Sequence, residues 1–211
     1  MMRYAGVDEV GLGALAGPIT TCCVAIDADV RFASLKKWWP LQGVKDSKKT
    51  TFPQRLALMP RLIEFLLEAG ASVGIEDVLP ADIDIFGYSE ALHRAHVGAV
   101  RKAYADQPFD LLIIDGSNGL RGNDVHHVEQ RVAPKADNDY WVVAAASIIA
   151  KVHRDALMIE LHDDYAMYNW LINKGYTGGG KDTSAHVAAL RKYGLSPHHR
   201  KVACRTVLSS R

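Results

Sequence analysis

Tyr4-Ala5-Gly6-Val7-Asp8-Glu9-Val10-Gly11-Leu12-Gly13 reads as an apolar strand that ends on two adjacent carboxylates and runs into a glycine turn. Two acids in tandem raise each other's pKa unless a cation neutralises them. A hard divalent ion such as Mg2+ takes oxygen ligands, commonly one or two carboxylates completed by water and substrate phosphates. The glycines let backbone amides and carbonyls approach a ligand with no Cβ in the way. Acids beside a bare loop point to metal-assisted chemistry on a phosphate ester, although a strand ending in a polar turn also carries acids that only face water. The same stretch holds the outline of a dinucleotide fingerprint, Gly11-x-Gly13-x-x-Ala16, with Asp27 and Asp29 downstream. That fingerprint requires a helix to open at Ala16. Instead Gly17-Pro18 leads into Ile19-Thr20-Thr21-Cys22-Cys23-Val24-Ala25-Ile26, a β-branched run with the character of a second strand. The helix that would hold a pyrophosphate is missing.

Outward from this pair, the chain alternates strand and helix signals. Thr51 is a candidate N-cap and Pro53 falls in the first turn of a helix carrying Leu56, Met59, Ile63 and Leu66-Leu67, closed by Gly70, with Pro60 expected to kink or split it. Residues 72–76 read as a strand, and Ser89 as the cap of an amphipathic helix through Leu92, Ala95, Ala99, Val100 and Ala103. Asp110-Leu111-Leu112-Ile113-Ile114-Asp115-Gly116 reads as a buried strand ending on an acid. A short strand from His127 to Val132 follows, then Asp137 and Asp139 just before a long alanine-rich helix that begins at Trp141 and passes Met158. Thr183 can cap a last helix over Ala185 to Tyr193. The expected fold class is α/β, a mixed sheet flanked by helices, with residues 1–164 as the main body and 165–211 as a small, basic, helical C-terminal part. Ligand sites in open α/β sheets lie beyond strand ends. Convergence of Asp8, Glu9, Asp115 and Asp137 follows as an expectation.

The 211 residues are 48% hydrophobic, enough for a substantial core, and no apolar run is long enough to span a bilayer. Three cysteines, Cys22, Cys23 and Cys204, form neither a disulfide framework nor a zinc spacing. The N-terminus has no signal-peptide pattern, so a reducing, cytoplasmic setting is expected. Net charge is only +1, but from Lys174 onward eight lysines and arginines face the single acid Asp182. Such a basic segment suits phosphate, and Arg191, Lys192 and Arg200 are its expected contacts. A solvated helical face would have the same composition.

These blocks, taken in order, resemble the type 2 ribonuclease H family, ribonuclease HII: Gly6-Val7-Asp8-Glu9-Val10-Gly11-Leu12-Gly13 with Ala16-Gly17-Pro18, Asp46-Ser47-Lys48-Lys49, Ile114-Asp115-Gly116, Lys135-Ala136-Asp137, Ala144 to Val152 with Arg154-Asp155, Lys174-Gly175-Tyr176, and Leu190 to Gly194 with His199-Arg200. The resemblance implies a ribonuclease H-like fold. It implies endonucleolytic cleavage of RNA in an RNA/DNA hybrid, or at a lone ribonucleotide in duplex DNA, leaving 5′-phosphate and 3′-hydroxyl ends. Its catalytic acids fall on Asp8, Glu9, Asp115 and Asp137, which would hold two divalent cations, Mg2+ or Mn2+. Gly11, Leu12 and Gly13 fall on the turn that reads the 2′-hydroxyl, with Leu12 where the family usually carries arginine. Tyr176 falls on the tyrosine that stacks on the sugar after the ribonucleotide, and Ser47, Lys48 and Lys49 look like phosphate contacts. The loop after Tyr176 is longer and richer in glycine than in common bacterial members.

Asp8 and Glu9 would point to opposite faces of a regular strand, so the turn is expected to bend the chain and bring both to the metals. Arg154 and Asp155 read as a structural ion pair, and the histidines as ordinary. Leu12 and the altered loop motivate a competing reading, a nucleic-acid-binding homologue without turnover, which the presence of all four acids opposes. A monomer with no membrane association and no protein partner is expected.

Overall fold

The computed structural model describes residues 2–27, 51–121, 128–176 and 183–209. Ser47, Lys48, Lys49 and the glycine-rich stretch after Tyr176 lie outside the described residues. Five strands form one mixed sheet: β1 (Arg3–Val10), β2 (Ile19–Asp27), β3 (Ser72–Val78), β4 (Leu111–Asp115) and β5 (Glu129–Ala133), in the spatial order β3-β2-β1-β4-β5. The first three pair antiparallel, while β4 joins β1, and β5 joins β4, in parallel. The mixed α/β sheet expected from the order of sequence signals is present.

Helices cover both faces. On one lie α1 (Phe52–Glu68) and the long α4 (Trp141–Asp164), packed on Cys22, Val24, Ile26, Leu111 and Ile113. On the other lies α3 (Tyr88–Asp106), whose Ala99, Val100 and Ala103 meet Ala5, Val7, Cys23, Ala25, Leu112 and Ile114. Neighbouring residues thus enter opposite cores, as the two-residue period of a strand requires. Cys22 and Cys23 are both fully buried free thiols. Residues after α4 form α5 (Trp170–Asn173), α6 (Thr183–Tyr193) and α7 (Lys201–Ser209), which share a core with Leu15, Ala16 and Met158. Among the described residues, no helix is long and apolar enough to cross a membrane.

Several local expectations change. Helix α1 runs unbroken through Pro60. Pro60 removes one amide donor, and the surrounding turns, anchored by buried Arg55, Leu62 and Leu66, keep the axis continuous. Helix α3 begins one residue before Ser89, on Gly87 rather than on the serine. An unforeseen short helix, α2 (Pro80–Phe86), precedes it. Asp84 of α2 accepts the backbone N–H groups of Lys201 and Val202, each at 3.0 Å, and so satisfies the first turn of α7. The last short strand is Glu129–Ala133, and a single 3-10 turn at Ala136–Asn138 separates it from α4, whose N-cap is Tyr140.

Gly6 sets the distance between β1 and α4. A Cβ there would lie 2.5 Å from the backbone nitrogen of Val143, where no side chain can yield. Gly6→Ala is expected to destabilise the protein by about 1–3 kcal/mol through overpacking, read as a fall in thermal midpoint. An unchanged midpoint would mean that the helix is free to slide away from the strand.

Candidate active site

Asp8 lies in the α4-facing row of β1, which runs Tyr4, Gly6, Asp8, Val10. It is buried, and its Oδ1 accepts the backbone N–H of Glu9 at 2.8 Å. The Ser147 hydroxyl of α4 donates to the same carboxylate. Burial, together with the charges of Asp115 and Asp137, pushes the Asp8 carboxyl up to about 6, against the lowering effect of those two hydrogen bonds. Asp115, the last residue of β4, accepts the N–H of Ala136 at 2.8 Å, which ties the strand end to the turn carrying Asp137. Asp8, Asp115 and Asp137 therefore act on one another across two parallel strand ends and one turn.

Glu9 faces the other way. Its Oε2 lies 3.5 Å from Nε2 of His96 on α3. It lines a cavity of about 490 Å3 together with Leu12, His93, His96, Asp115 and Gly116. Burial holds the His96 imidazole below its ordinary range. The bend expected to bring Asp8 and Glu9 to one side does not occur. Both remain in register with β2, Asp8 opposite Cys22 and Glu9 opposite Thr21, so the strand pleat separates them. Asp115, at the strand end between, is the group that reaches toward both.

The donor set fits a hard divalent cation. It consists of carboxylate oxygens, and the upward push on Asp8, from burial first and from the charges of Asp115 and Asp137 second, is what a bound cation relieves. Among the described residues, no three His, Cys, Asp or Glu side chains close on one point as a complete cage. This is consistent with ions that keep water and phosphate oxygens in their shell.

The turn beyond β1 is held by two buried arginines. The φ of Gly11 is +98°, and a Cβ there would lie 2.4 Å from Nε of Arg154. Arg154 donates to the carbonyls of Pro18, Lys174 and Ala16 at 2.9, 2.9 and 2.8 Å. Arg200 donates to those of Gly17, Leu12 and Pro18 at 2.9, 3.1 and 2.8 Å. Arg200 is therefore not the exposed phosphate contact expected of the basic segment. Nor does Arg154 pair with Asp155, because neighbours on a helix point about 100° apart. Asp155 binds Arg55 at 2.9 Å, as well as Lys151. Gly13 is exposed with open space around it, whereas the Leu12 side chain is half-buried against the apolar cluster of α2 and α3.

Tyr176 comes to the same turn. It bridges Ala14, its ring lies 4.9 Å from the Arg154 guanidinium carbon and 5.4 Å from Nζ of Lys151, and the preceding Gly175 carbonyl accepts Leu15 and Ala16. Two histidines missed in the sequence support it. Ser196 N–H donates to His199 Nδ1, which puts the His199 hydrogen on Nε2, 3.1 Å from His186 Nε2. His186 then donates from Nδ1 to the Tyr176 carbonyl at 3.2 Å. Burial and the neighbouring imidazole push His199 down to about 3, so this chain of neutral rings persists through the physiological range. In sequence His186 is a polar residue inside an apolar helical pattern and His199 sits in the turn before α7, and neither signal identifies a partner.

The family model for ribonuclease HII matches residues 5–206. A ribonuclease HII of Syntrophobacter fumaroxidans is 40% identical over 196 residues, 93% of this chain and 74% of that protein. That of Rhodospirillum rubrum is 39% identical over 199 residues, 94% and 82% respectively. Among solved structures, ribonuclease H2 from Pyrococcus horikoshii is similar with a TM-score of 0.74 and 26% identity, covering 98% of this chain and 97% of that one. Bst-RNase HIII in complex with Mn2+ shares the fold at a TM-score of 0.69 and 21% identity, covering 99% and 70%.

The raised Asp8 carboxyl has a measurable consequence. An acid whose folded pKa lies near 6, against an ordinary 3.8, withdraws stability as pH rises through that window. In metal-free protein, Asp8→Asn should therefore raise the thermal midpoint above pH 6, by an amount bounded at about 3 kcal/mol, and leave it unchanged near pH 3.5. Added Mg2+ or Mn2+ should stabilise the natural protein more than the variant. Equal midpoints at pH 7.5 would show that Asp8 is not under this strain.

Proposed function

Because the chain belongs to the ribonuclease HII family and is a ribonuclease H enzyme, we propose that it hydrolyses the RNA strand of RNA/DNA hybrids and cuts at single ribonucleotides embedded in duplex DNA, leaving 5′-phosphate and 3′-hydroxyl ends. The observation that carries this reading is the grouping of Asp8, Asp115 and Asp137 around two parallel strand ends, with Glu9 sharing a cavity with Asp115. Asp8, Glu9, Asp115 and Asp137 are the residues that would hold two divalent cations. When bound, such ions lower the pKa of an attacking water and stabilise charge on the leaving 3′ oxygen.

The chain's own residues then select and position the substrate. Backbone groups of Gly11, Leu12 and Gly13 read the 2′-hydroxyl, the group that distinguishes RNA from DNA. The two arginines support this by fixing the carbonyls of Leu12, Ala16, Gly17 and Pro18, so that the turn does not rearrange on binding. The Tyr176 ring, held beside Arg154 and supported from below by His186, stacks on the neighbouring sugar. Ser47, Lys48 and Lys49 add phosphate contacts. On α6 the exposed Arg191 and Lys192 offer charge to the backbone farther along the duplex.

The direct test is a duplex DNA carrying one ribonucleotide, compared with its all-DNA twin, with and without Mg2+ or Mn2+. Cleavage of the first substrate alone, and only with metal, is expected. Asp115→Asn should lose cleavage by several orders of magnitude while binding the duplex at least as tightly, because a negative charge near phosphate is gone. Near-natural turnover in that variant would remove Asp115 from the metal site, and equal cutting of both duplexes would refute 2′-hydroxyl readout.

A second measurement separates the basic residues. Replacing Arg191 and Lys192 by alanine should reduce the slope of log K against log salt by about 0.9 for each lost phosphate contact on B-form DNA. Arg200→Lys should instead lower the thermal midpoint, because lysine cannot reproduce the guanidinium fork. A slope unchanged by the double replacement would show that this face of α6 meets only solvent.

A further inference from the structure

His186 and His199 are both buried, one on α6 and the other in the turn before α7. The indole nitrogen of Trp170 lies 3.3 Å from Nε2 of His186. An indole N–H only donates, so that ring nitrogen accepts and the hydrogen of His186 sits on Nδ1, 3.2 Å from the Tyr176 carbonyl. At the other end the Ser196 amide lies 2.9 Å from Nδ1 of His199, which leaves the His199 hydrogen on Nε2, facing His186 at 3.1 Å. Two groups that can only donate therefore set one direction for the whole chain, from Ser196 through both rings to Tyr176. Protonating His186 would turn a donor toward Trp170, and protonating His199 a donor toward the Ser196 amide. Burial opposes both charged forms.

The two rings also close a circuit with the segment that follows the glycine turn. Ala14 bridges Tyr176 and Ala16 bridges His199. Leu15 and Ala16 donate to the Gly175 carbonyl at 2.7 and 3.1 Å, Gly17 donates to the His198 carbonyl at 2.9 Å, and the Leu15 carbonyl accepts the Arg200 amide at 2.8 Å. Residues 14–17 thus hold both segments, and the histidine pair joins those segments to each other. With that last link broken, Tyr176 is free to pivot about its bridge to Ala14. We propose that His186 is a positioning residue for the ribonuclease reaction: with His199, it holds the Tyr176 ring at a fixed offset from the turn that reads the ribonucleotide. This rests on the reading of Tyr176 and the turn as substrate contacts. A strand gripped at one sugar by the turn and at the next by the ring is placed against the carboxylates by that offset, and small misplacements of a bound reactant cost rate steeply.

The test is a double-mutant cycle on the full chain, with Mg2+ and duplex DNA carrying one ribonucleotide. His186→Leu should lower kcat/KM about tenfold when Tyr176 is present and by less than about twofold beside Tyr176→Ala, because a residue that acts through the ring then has nothing left to place. His186→Asn keeps an N–H where Nδ1 was and should recover most of the loss. Histidine 15N resonances of the natural protein give a readout that needs neither variant nor turnover: the hydrogen is expected on Nδ1 of His186 and on Nε2 of His199. Equal losses in both Tyr176 backgrounds make His186 a purely structural residue and overturn the proposal. So does a His186 hydrogen found on Nε2, or a His186→Asn protein no better than His186→Leu. Unchanged kcat/KM in Tyr176→Ala alone overturns the reading of Tyr176 as a substrate contact, and the proposal falls with it.

Discussion

A strand presents its side chains alternately to two faces, and near its end β1 carries a carboxylate on each. Much of the architecture answers that constraint. Asp8 is enclosed by α4, which approaches closely because Gly6 lacks a side chain, and which supplies Ser147 as a donor. Glu9 enters the opposite compartment, where α3 brings His96. Neither helix could serve both acids. The neighbouring parallel strand supplies Asp115 at its own end, where the sheet stops and one side chain is accessible from either compartment. The central position of β1 in the sheet follows from this, because only an interior strand has a covering helix on each side and a partner on each edge.

Beside these acids is a second electrostatic arrangement of opposite sign. Arg154 and Arg200 are fully buried, and their guanidinium nitrogens donate to backbone carbonyls, with the Tyr88 side chain a further hydrogen-bond partner of Arg200. Carbonyl dipoles satisfy the donors without neutralising the charge. Burial and the Arg154 charge push Arg200 down to about 10, still protonated at neutral pH. The glycine turn therefore rests on a positive base a short way from the carboxylates. A phosphodiester backbone laid across the turn would meet that field before reaching the acids.

Strand and helix positions were readable because each depends on local periodicity. The β-branched run of β2, the apolar run before Asp115 and the alanine-rich α4 all lie where their patterns indicate. The acid at each strand end was equally visible. What the sequence did not reveal depends on which side chain meets which across the fold. The expected bend at Asp8-Glu9 assumed that both acids must share one side, and the sheet instead keeps the pleat and brings partners to each face. Arg200 looked like any basic residue of the C-terminal segment, since nothing local distinguishes a guanidinium bound to carbonyls from one in water. His96, His186 and His199 were unreadable for the same reason. Pro60 failed as a helix breaker because tertiary anchoring outweighed one lost hydrogen bond.

The contacts that complete the glycine turn span the molecule. The Leu12 carbonyl waits for a guanidinium 188 residues later, and that of Ala16 for one 138 residues later. Domains assemble largely as the chain emerges, amino end first, so the β1–β2 hairpin and its acids precede the arginines that secure the turn between them. Such distant closures are also the slow part of assembly, because chain entropy is spent before they form. A partly synthesised or carboxy-truncated chain would possess the acids without a rigid turn beside them. The turn beside the acids thus becomes rigid only once the segment carrying Arg200 has folded onto it.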